Sequence, residues 1–254
     1  EMCIRDSSSP EEIPTQANGE DYSSKIQKAK HIITGFEYDI SNMIDFQLEA
    51  YIKDFSQLTN INRNMTSNND ETFIIETGIA KGIDALVKYN TSKLYVWLVY
   101  SIGHVTRDDG VREYSPHFDR RHNVNFVTSY KFGKSLDWKF DCRWNLGSGF
   151  PFTQTQGFYE NLTFSEGINT DYTSTNGELG IQYAELNNGR LPYYHRLDLS
   201  LAKKIEINRN SILNITASVT NTYNRENIFY FNRIKYERVN QLPLMPSLGM
   251  SLTF

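Results

Sequence analysis

The sequence predicts an all-β fold, an antiparallel transmembrane β-barrel. Three observations predict it: long segments of strict apolar–polar alternation, connections that switch between tight and long, and aromatic residues gathered toward segment ends. Composition sets the frame. The 254 residues carry 26 basic and 30 acidic side chains, a net charge of -4, which gives no basic footprint for nucleic acid. With Gly counted in place of Tyr, the apolar share stays near 39%, below the ~45–50% of ordinary soluble domains, so a large dry core is not expected. Aromatic content of 13% is still too high for a disordered chain, and no stretch approaches the ~18 apolar residues of a spanning helix. Cys3 and Cys142 have neither metal-ligand spacing nor a disulfide framework.

Strands are expected near 31–40, 44–55, 75–89, 93–105, 120–132, 136–148, 193–205, 211–223 and 245–254, with no convincing helix. The plainest is 136–148, where Leu136, Trp138, Phe140, Cys142, Trp144 and Leu146 take one face and Asp137, Lys139, Asp141, Arg143 and Asn145 the other. In the eighth segment Leu213, Ile215, Ala217 and Val219 oppose Asn214, Thr216, Ser218 and Thr220. In the ninth Leu248, Met250, Leu252 and Phe254 oppose Ser247, Gly249, Ser251 and Thr253. Tight connections fall around Asn42, Asn90, Gly133 and Asn208, and long ones over 56–74, 106–119, 149–192 and 224–244.

Alternation alone serves a soluble sandwich as well as a membrane barrel. Length and loop asymmetry separate them: a tilted spanning strand needs ~9–11 residues, and outer-membrane barrels pair short periplasmic turns with long external loops. Turning the 136–148 segment over would put Lys139 and Arg143 into lipid at about 2–4 kcal/mol each. The polar face is therefore expected to line a wet lumen or contact a plug, through Asp45, Glu49, Asp137, Lys139, Asp141, Arg143, Arg196 and Asp198 among others. Aromatics near strand ends, such as Tyr130, Phe132, Tyr193, Tyr194 and Tyr223, fit interfacial girdles.

Several runs carry a resemblance. Tyr114-Ser115-Pro116-His117-Phe118-Asp119-Arg120-Arg121-His122-Asn123 is followed by Arg143-Trp144-Asn145 and by Gly147-Ser148-Gly149-Phe150-Pro151-Phe152-Thr153. Further on come Leu191-Pro192-Tyr193-Tyr194-His195-Arg196-Leu197-Asp198-Leu199-Ser200, Asn221-Thr222-Tyr223-Asn224-Arg225 and the closing Leu244 to Phe254. In order and spacing, over roughly residues 30–254, these resemble the late barrel of TonB-dependent outer-membrane receptors, especially of Bacteroidetes type. The resemblance implies a 22-stranded barrel filled by an N-terminal plug, preceded by a coupling box that binds TonB. Neither plug nor box has room here, and nine strands are an odd number where bacterial single-chain barrels close with an even one, so a C-terminal fragment is expected. Residues 1–29 are then a non-barrel segment or loop remnant, within which EMCIRDSSSP, lacking signal-peptide character, looks like foreign sequence.

The resemblance further implies a bacterial outer-membrane location. It implies contact with outer-membrane lipid, a TonB partnership through the missing plug and box, and uptake of a scarce solute (siderophore, vitamin, peptide or glycan) driven by the proton gradient. The last strand, with Leu248, Met250, Leu252 and terminal Phe254, resembles the signal read by the barrel-assembly machinery. A passive porin-like barrel is the alternative, and a soluble β-rich carbohydrate-binding module a lesser one.

Little in the sequence points to covalent chemistry. His117 and His122 with Asp119 between them offer three metal-type ligands but no fourth, and a polar loop base, with Arg120 and Arg121 pairing lumenal carboxylates, is the plainer reading. No nucleophile elbow, Ser-His-Asp order or phosphate-cradling glycine loop occurs, so neither enzyme activity nor a cofactor is expected. Aromatic faces among amide side chains suit organic solutes, which makes Phe150, Phe152, Phe158, Tyr159 and Tyr172 of the long 149–192 connection the candidate ligand contacts.

Overall fold

The computed structural model describes residues 12–17, 20–63, 70–161, 178–208, 211–235 and 237–254. Nine long strands carry the fold: β1 (Lys28–Ser41), β2 (Ile44–Ile61), β3 (Phe73–Asn90), β4 (Leu94–Asp108), β5 (His122–Phe132), β6 (Trp138–Gly147), β7 (Tyr194–Asn208), β8 (Ser211–Thr220) and β9 (Met245–Thr253). Each pairs antiparallel with its neighbours in sequence, giving one meandering sheet from β1 at one edge to β9 at the other. The described residues contain no helix. Every expected strand overlaps one of these nine, and the differences lie at the ends. Within the stretch expected to stand outside the barrel, residues 12–17 and 20–25 pair as a separate hairpin.

Two end corrections have physical causes. The 56–74 connection is shorter than expected: β2 continues to Ile61 past a bulge where Gln57 takes φ 61°, pairing resumes from Phe55↔Gly78 to Leu58↔Glu76, and β3 begins at Phe73. The one extra residue on β2 reverses the alternation, so that Leu58 and Asn60 share the face of Glu76. The sixth strand starts at Trp138 rather than 136, because Leu136 adopts φ 53° and donates its N–H to the Gly133 carbonyl at 3.3 Å, closing a turn. Gly133, at φ 94°, meets the same turn's demand without a side-chain clash.

Directly paired residues share a face. Across the sheet Leu48, Ala85, Tyr100, Val124 and Leu146 form one apolar row, and Val87, Leu98, Phe126, Trp144 and Leu197 the next. The opposite face carries Glu49, Asp84, Ser101 and Asn123 in one row and Ser200, Ser218 and Ser247 in another. Polar pairs on that face satisfy one another: Lys88 Nζ lies 3.0 Å from Asp45, Lys139 Nζ 2.9 Å from Asp141, and Arg196 2.9 Å from Asp198.

Among the described residues none buries the apolar face. Among the described large apolar residues only Tyr114 is buried, whereas Ile83 is 47% exposed and Leu248 74%. A soluble sheet would bury such a face at about 25 cal/mol per Å². At the tight-turn end the same face carries a run of rings, Tyr130, Phe132 and Trp138, with centroids 5.8 and 6.0 Å apart, and Lys203 Nζ sits 4.5 Å from the Trp138 centroid.

Candidate functional site

All four long connections (62–72, 109–121, 148–193 and 221–244) leave the same end of the sheet, and the buried polar groups gather there. Asp119 is fully buried. Its Oδ1 accepts the Val105 N–H at 2.9 Å, and its Oδ2 accepts from Arg121 Nε at 2.8 Å and Arg190 Nη2 at 2.5 Å. Arg190 Nη1 also reaches the carbonyls of Asp119 and Gly149, both at 3.3 Å, so one guanidinium ties the connection after β6 to the one after β4. Burial alone would raise the Asp119 pKa, but the Arg190, Val105 and Arg121 hydrogen bonds prevail and hold it below the usual carboxylate range.

A second node stands on β3. Glu76, also fully buried, is bonded at 2.9 Å by the Tyr114 hydroxyl and at 3.0 Å by Asn60 Nδ2, with Arg107 Nη1 3.5 Å away. The short strand Glu113–Tyr114 folds back on β4 and delivers that hydroxyl. Burial, then the hydrogen bond to Glu76, push the Tyr114 pKa up.

Asparagines build the third node. Asn221 caps its own turn through the Arg225 N–H and carbonyl and donates to the Leu242 carbonyl, at 2.9 to 3.0 Å. Asn227 accepts the His195 N–H at 3.1 Å and donates to the His195 carbonyl at 2.9 Å, standing in for a missing strand partner on β7. The two longest connections also meet: Arg233 Nη1 donates to Thr155 Oγ1 at 2.8 Å, and Phe152 packs 5.8 Å from Phe231.

Against the third node, whose His195 and Asn227 line it, lies a cavity of about 550 Å³, walled also by Arg120, Phe150, Tyr193, Tyr194, Tyr223 and Arg225. Among the described residues Arg120 pairs no carboxylate, contrary to expectation. Its guanidinium lies 4.2 Å from the Phe150 ring centroid and 5.8 Å from that of Tyr194, over Gly147, where an added Cβ would stand 2.5 Å from its Cζ. Arg121 does pair, but with the loop residue Asp119.

The structure disperses the other expected contacts. Phe150 lines the cavity. Phe152 sits in a two-residue strand paired with Gly189–Arg190, and Phe158 and Tyr159 stand on a hairpin of residues 155–161 and 178–183, with Tyr159 54% exposed. Tyr172 lies outside the described residues. The metal-type trio goes separate ways: His122 Nδ1 meets the Tyr100 hydroxyl at 2.9 Å, His117 packs edge-on against Phe118, and Asp119 is taken up by arginines. Of the polar-face set, Asp45, Glu49, Lys139, Asp141, Arg143, Arg196 and Asp198 share one face by register. Asp137 instead lies in the turn and pairs with Lys203, which is directly opposite Trp138 and so on the apolar face. Sequence reading missed Tyr193, Tyr194, Tyr223 and Arg225 as cavity walls, because the first two stand where the chain enters β7, the other two in the 221–244 connection, and no spacing links the pairs.

A meandering antiparallel sheet, uncovered among the described residues on its apolar face and crowned at one end by long hydrogen-bonded connections, has the architecture seen in the walls of outer-membrane receptor barrels. Solved structures agree on the fold, which is that of TonB-dependent outer-membrane receptors. The closed form of the ferric-catecholate import receptor Fiu from Escherichia coli K12 superposes with a TM-score of 0.61 at 14% identity, over 91% of this chain and 28% of that one. The ferripyoverdine receptor of the Pseudomonas aeruginosa outer membrane, bound to ferripyoverdine, gives 0.59 at 12% identity, over 90% and 27%. FpvAI in complex with pyocin S2 gives 0.59 at 13%, over 89% and 27%. The chain thus spans little more than a quarter of these receptors. No protein-family profile matches the sequence, and no curated protein sequence matches it.

Proposed function

We infer that the chain is the C-terminal part of a TonB-dependent outer-membrane transporter, which takes up a scarce solute using the proton gradient. The observation that carries this reading is the uncovered apolar face, bounded at the turn end by the Tyr130–Phe132–Trp138 stack and at the other by long connections. That arrangement suits lipid outside and water inside. Further strands would close the barrel, about 22 in all, with the polar face turned inward against a plug. The plug and a coupling box ahead of it would receive the pull of TonB, while the connections at the loop end meet the solute from outside. No covalent chemistry is assigned to the chain.

The test is the coding sequence upstream in the same frame, together with the compartment in which the intact protein is found. A signal peptide, coupling box, plug and further strands, with extraction from outer membranes only by detergent, is the expected result. Recovery as a soluble protein would overturn the membrane reading. A membrane barrel without plug or box would replace the transporter with a passive pore.

A further inference from the structure

The cavity at the loop end holds a cation without a counter-charge. Arg120 forms no ion pair among the described residues, and its Nε is buried without a hydrogen-bond partner. Arg225 is in a similar position: Nη2 donates to the Tyr193 carbonyl at 3.1 Å, but its buried Nε has no partner among the described residues. A third cation on the wall, Arg238, is already paired with Glu226. The lining therefore carries two uncompensated positive charges. Desolvating a guanidinium costs free energy that stacking on the Phe150 and Tyr194 rings offsets only in part. Gly147 leaves the room Arg120 occupies, since any Cβ there would collide with the guanidinium.

We propose that this cavity binds an organic anion, a carboxylate or phosphate ester on a ring-sized scaffold, with Arg120 as its principal anchor. The guanidinium fork matches a carboxylate or phosphate in two-point geometry, and the flanking rings of Phe150, Tyr194 and Tyr223 offer faces for the rest of the molecule. A volume of about 550 Å³ is far more than a bare inorganic ion requires and falls within the range of small-molecule sites. The assignment deepens the transporter reading, on which it rests only for the route by which the solute arrives.

The test is equilibrium binding to the intact detergent-purified protein at low ionic strength, with glucuronate, glucose and inorganic phosphate as probes. Glucuronate is expected to bind at least tenfold more tightly than glucose, which lacks only the charge, and more tightly than inorganic phosphate, which lacks the ring. Arg120→Gln is expected to weaken glucuronate about 10- to 100-fold, as loss of a charge-assisted hydrogen bond does, and Arg120→Lys less. Gly147→Ala keeps every charge but displaces the guanidinium, and should weaken binding as much as Arg120→Gln. Heat-modifiable gel mobility confirms that each variant folds. Equal affinity for glucose, no binding of either anion, or unchanged binding in both Arg120→Gln and Gly147→Ala would overturn the site, and equal affinity for inorganic phosphate would overturn the organic anion. A membrane protein that binds no anion sinks this proposal alone, and a soluble protein that binds glucuronate through Arg120 sinks only the transporter reading.

Discussion

The two ends of the sheet are held by different physics. At the turn end, consecutive strands are joined by a few residues, and what stands there is a stack of rings, Tyr130, Phe132 and Trp138, with Lys203 over the last. At the loop end, groups far apart in sequence meet: Asp119 with Arg190, Glu76 with Tyr114, Asn227 with His195. The turn end is built by local pattern, between residues close together in the chain. The loop end satisfies its buried donors and acceptors within the protein, the Nε atoms of Arg120 and Arg225 excepted, because an unpartnered buried group costs more than a hydrogen bond returns.

The comparison is broken most sharply at Asp119. Asp119→Ala removes the acceptor shared by Arg121, Arg190 and the Val105 N–H, leaving two guanidiniums without their counter-charge. The loss is expected near 3 kcal/mol, the low end of the ~3–5 for a broken buried pair, because each arginine is about a third exposed. It should be read as faster protease cleavage in 109–121 and 184–193, with the turn end protected as before. Uniform cleavage of both ends would show that they are not separate units. Tyr114→Phe is the next largest, about 1–3 kcal/mol, because the Glu76 carboxylate keeps its burial and loses a hydroxyl donor. The same protease assay should localise that effect to 62–72 and 109–114.

What was legible in the sequence follows the same division. Alternation is a property of neighbours in the chain, so the all-β, antiparallel character and the shared face of Asp141, Arg143 and Asp198 could be read from period two. The bulge at Gln57 and the left-handed Leu136 were not legible, since neither position carries the Gly or Asn that usually marks such a conformation. The loop-end cavity was legible only in its aromatic content. Adjacent in the sequence, Arg120 and Arg121 suggest one cationic base, yet the side chains part company: Arg121 enters the Asp119 node and Arg120 lies over Gly147 against Phe150.

A smaller effect sharpens the turn end. Phe132→Leu keeps an apolar side chain but removes the ring between Tyr130 and Trp138, a loss of about 1 kcal/mol. The intact protein's gel-shift temperature should fall slightly, with no new cleavage at the loop end. New cleavage there would mean that the stack supports the loops through the strands.

The smallest and most discriminating contrast is between two aspartates under acid. Asp119 and Asp137 are both held below the ordinary carboxylate range, the first by arginine and backbone hydrogen bonds that overcome burial, the second chiefly by its hydrogen bond to Lys203. A carboxyl whose folded pKa is depressed stabilises the fold fully above its ordinary value, about 3.9, and that contribution is lost as pH falls through the depressed value. Protonating Asp119 should free two connections from one another, because Arg190 bridges them, whereas protonating Asp137 releases only the Lys203 side chain beside a turn that the Leu136 N–H still closes. Below pH ~4, protease sensitivity should therefore rise in 109–121 and 184–193 and stay flat in 133–137. Asp137→Asn should leave this acid profile unchanged, while Asp119→Asn should flatten it by making the loop end labile at every pH. An acid transition that survives in Asp119→Asn would assign the coupling of the loops to another group.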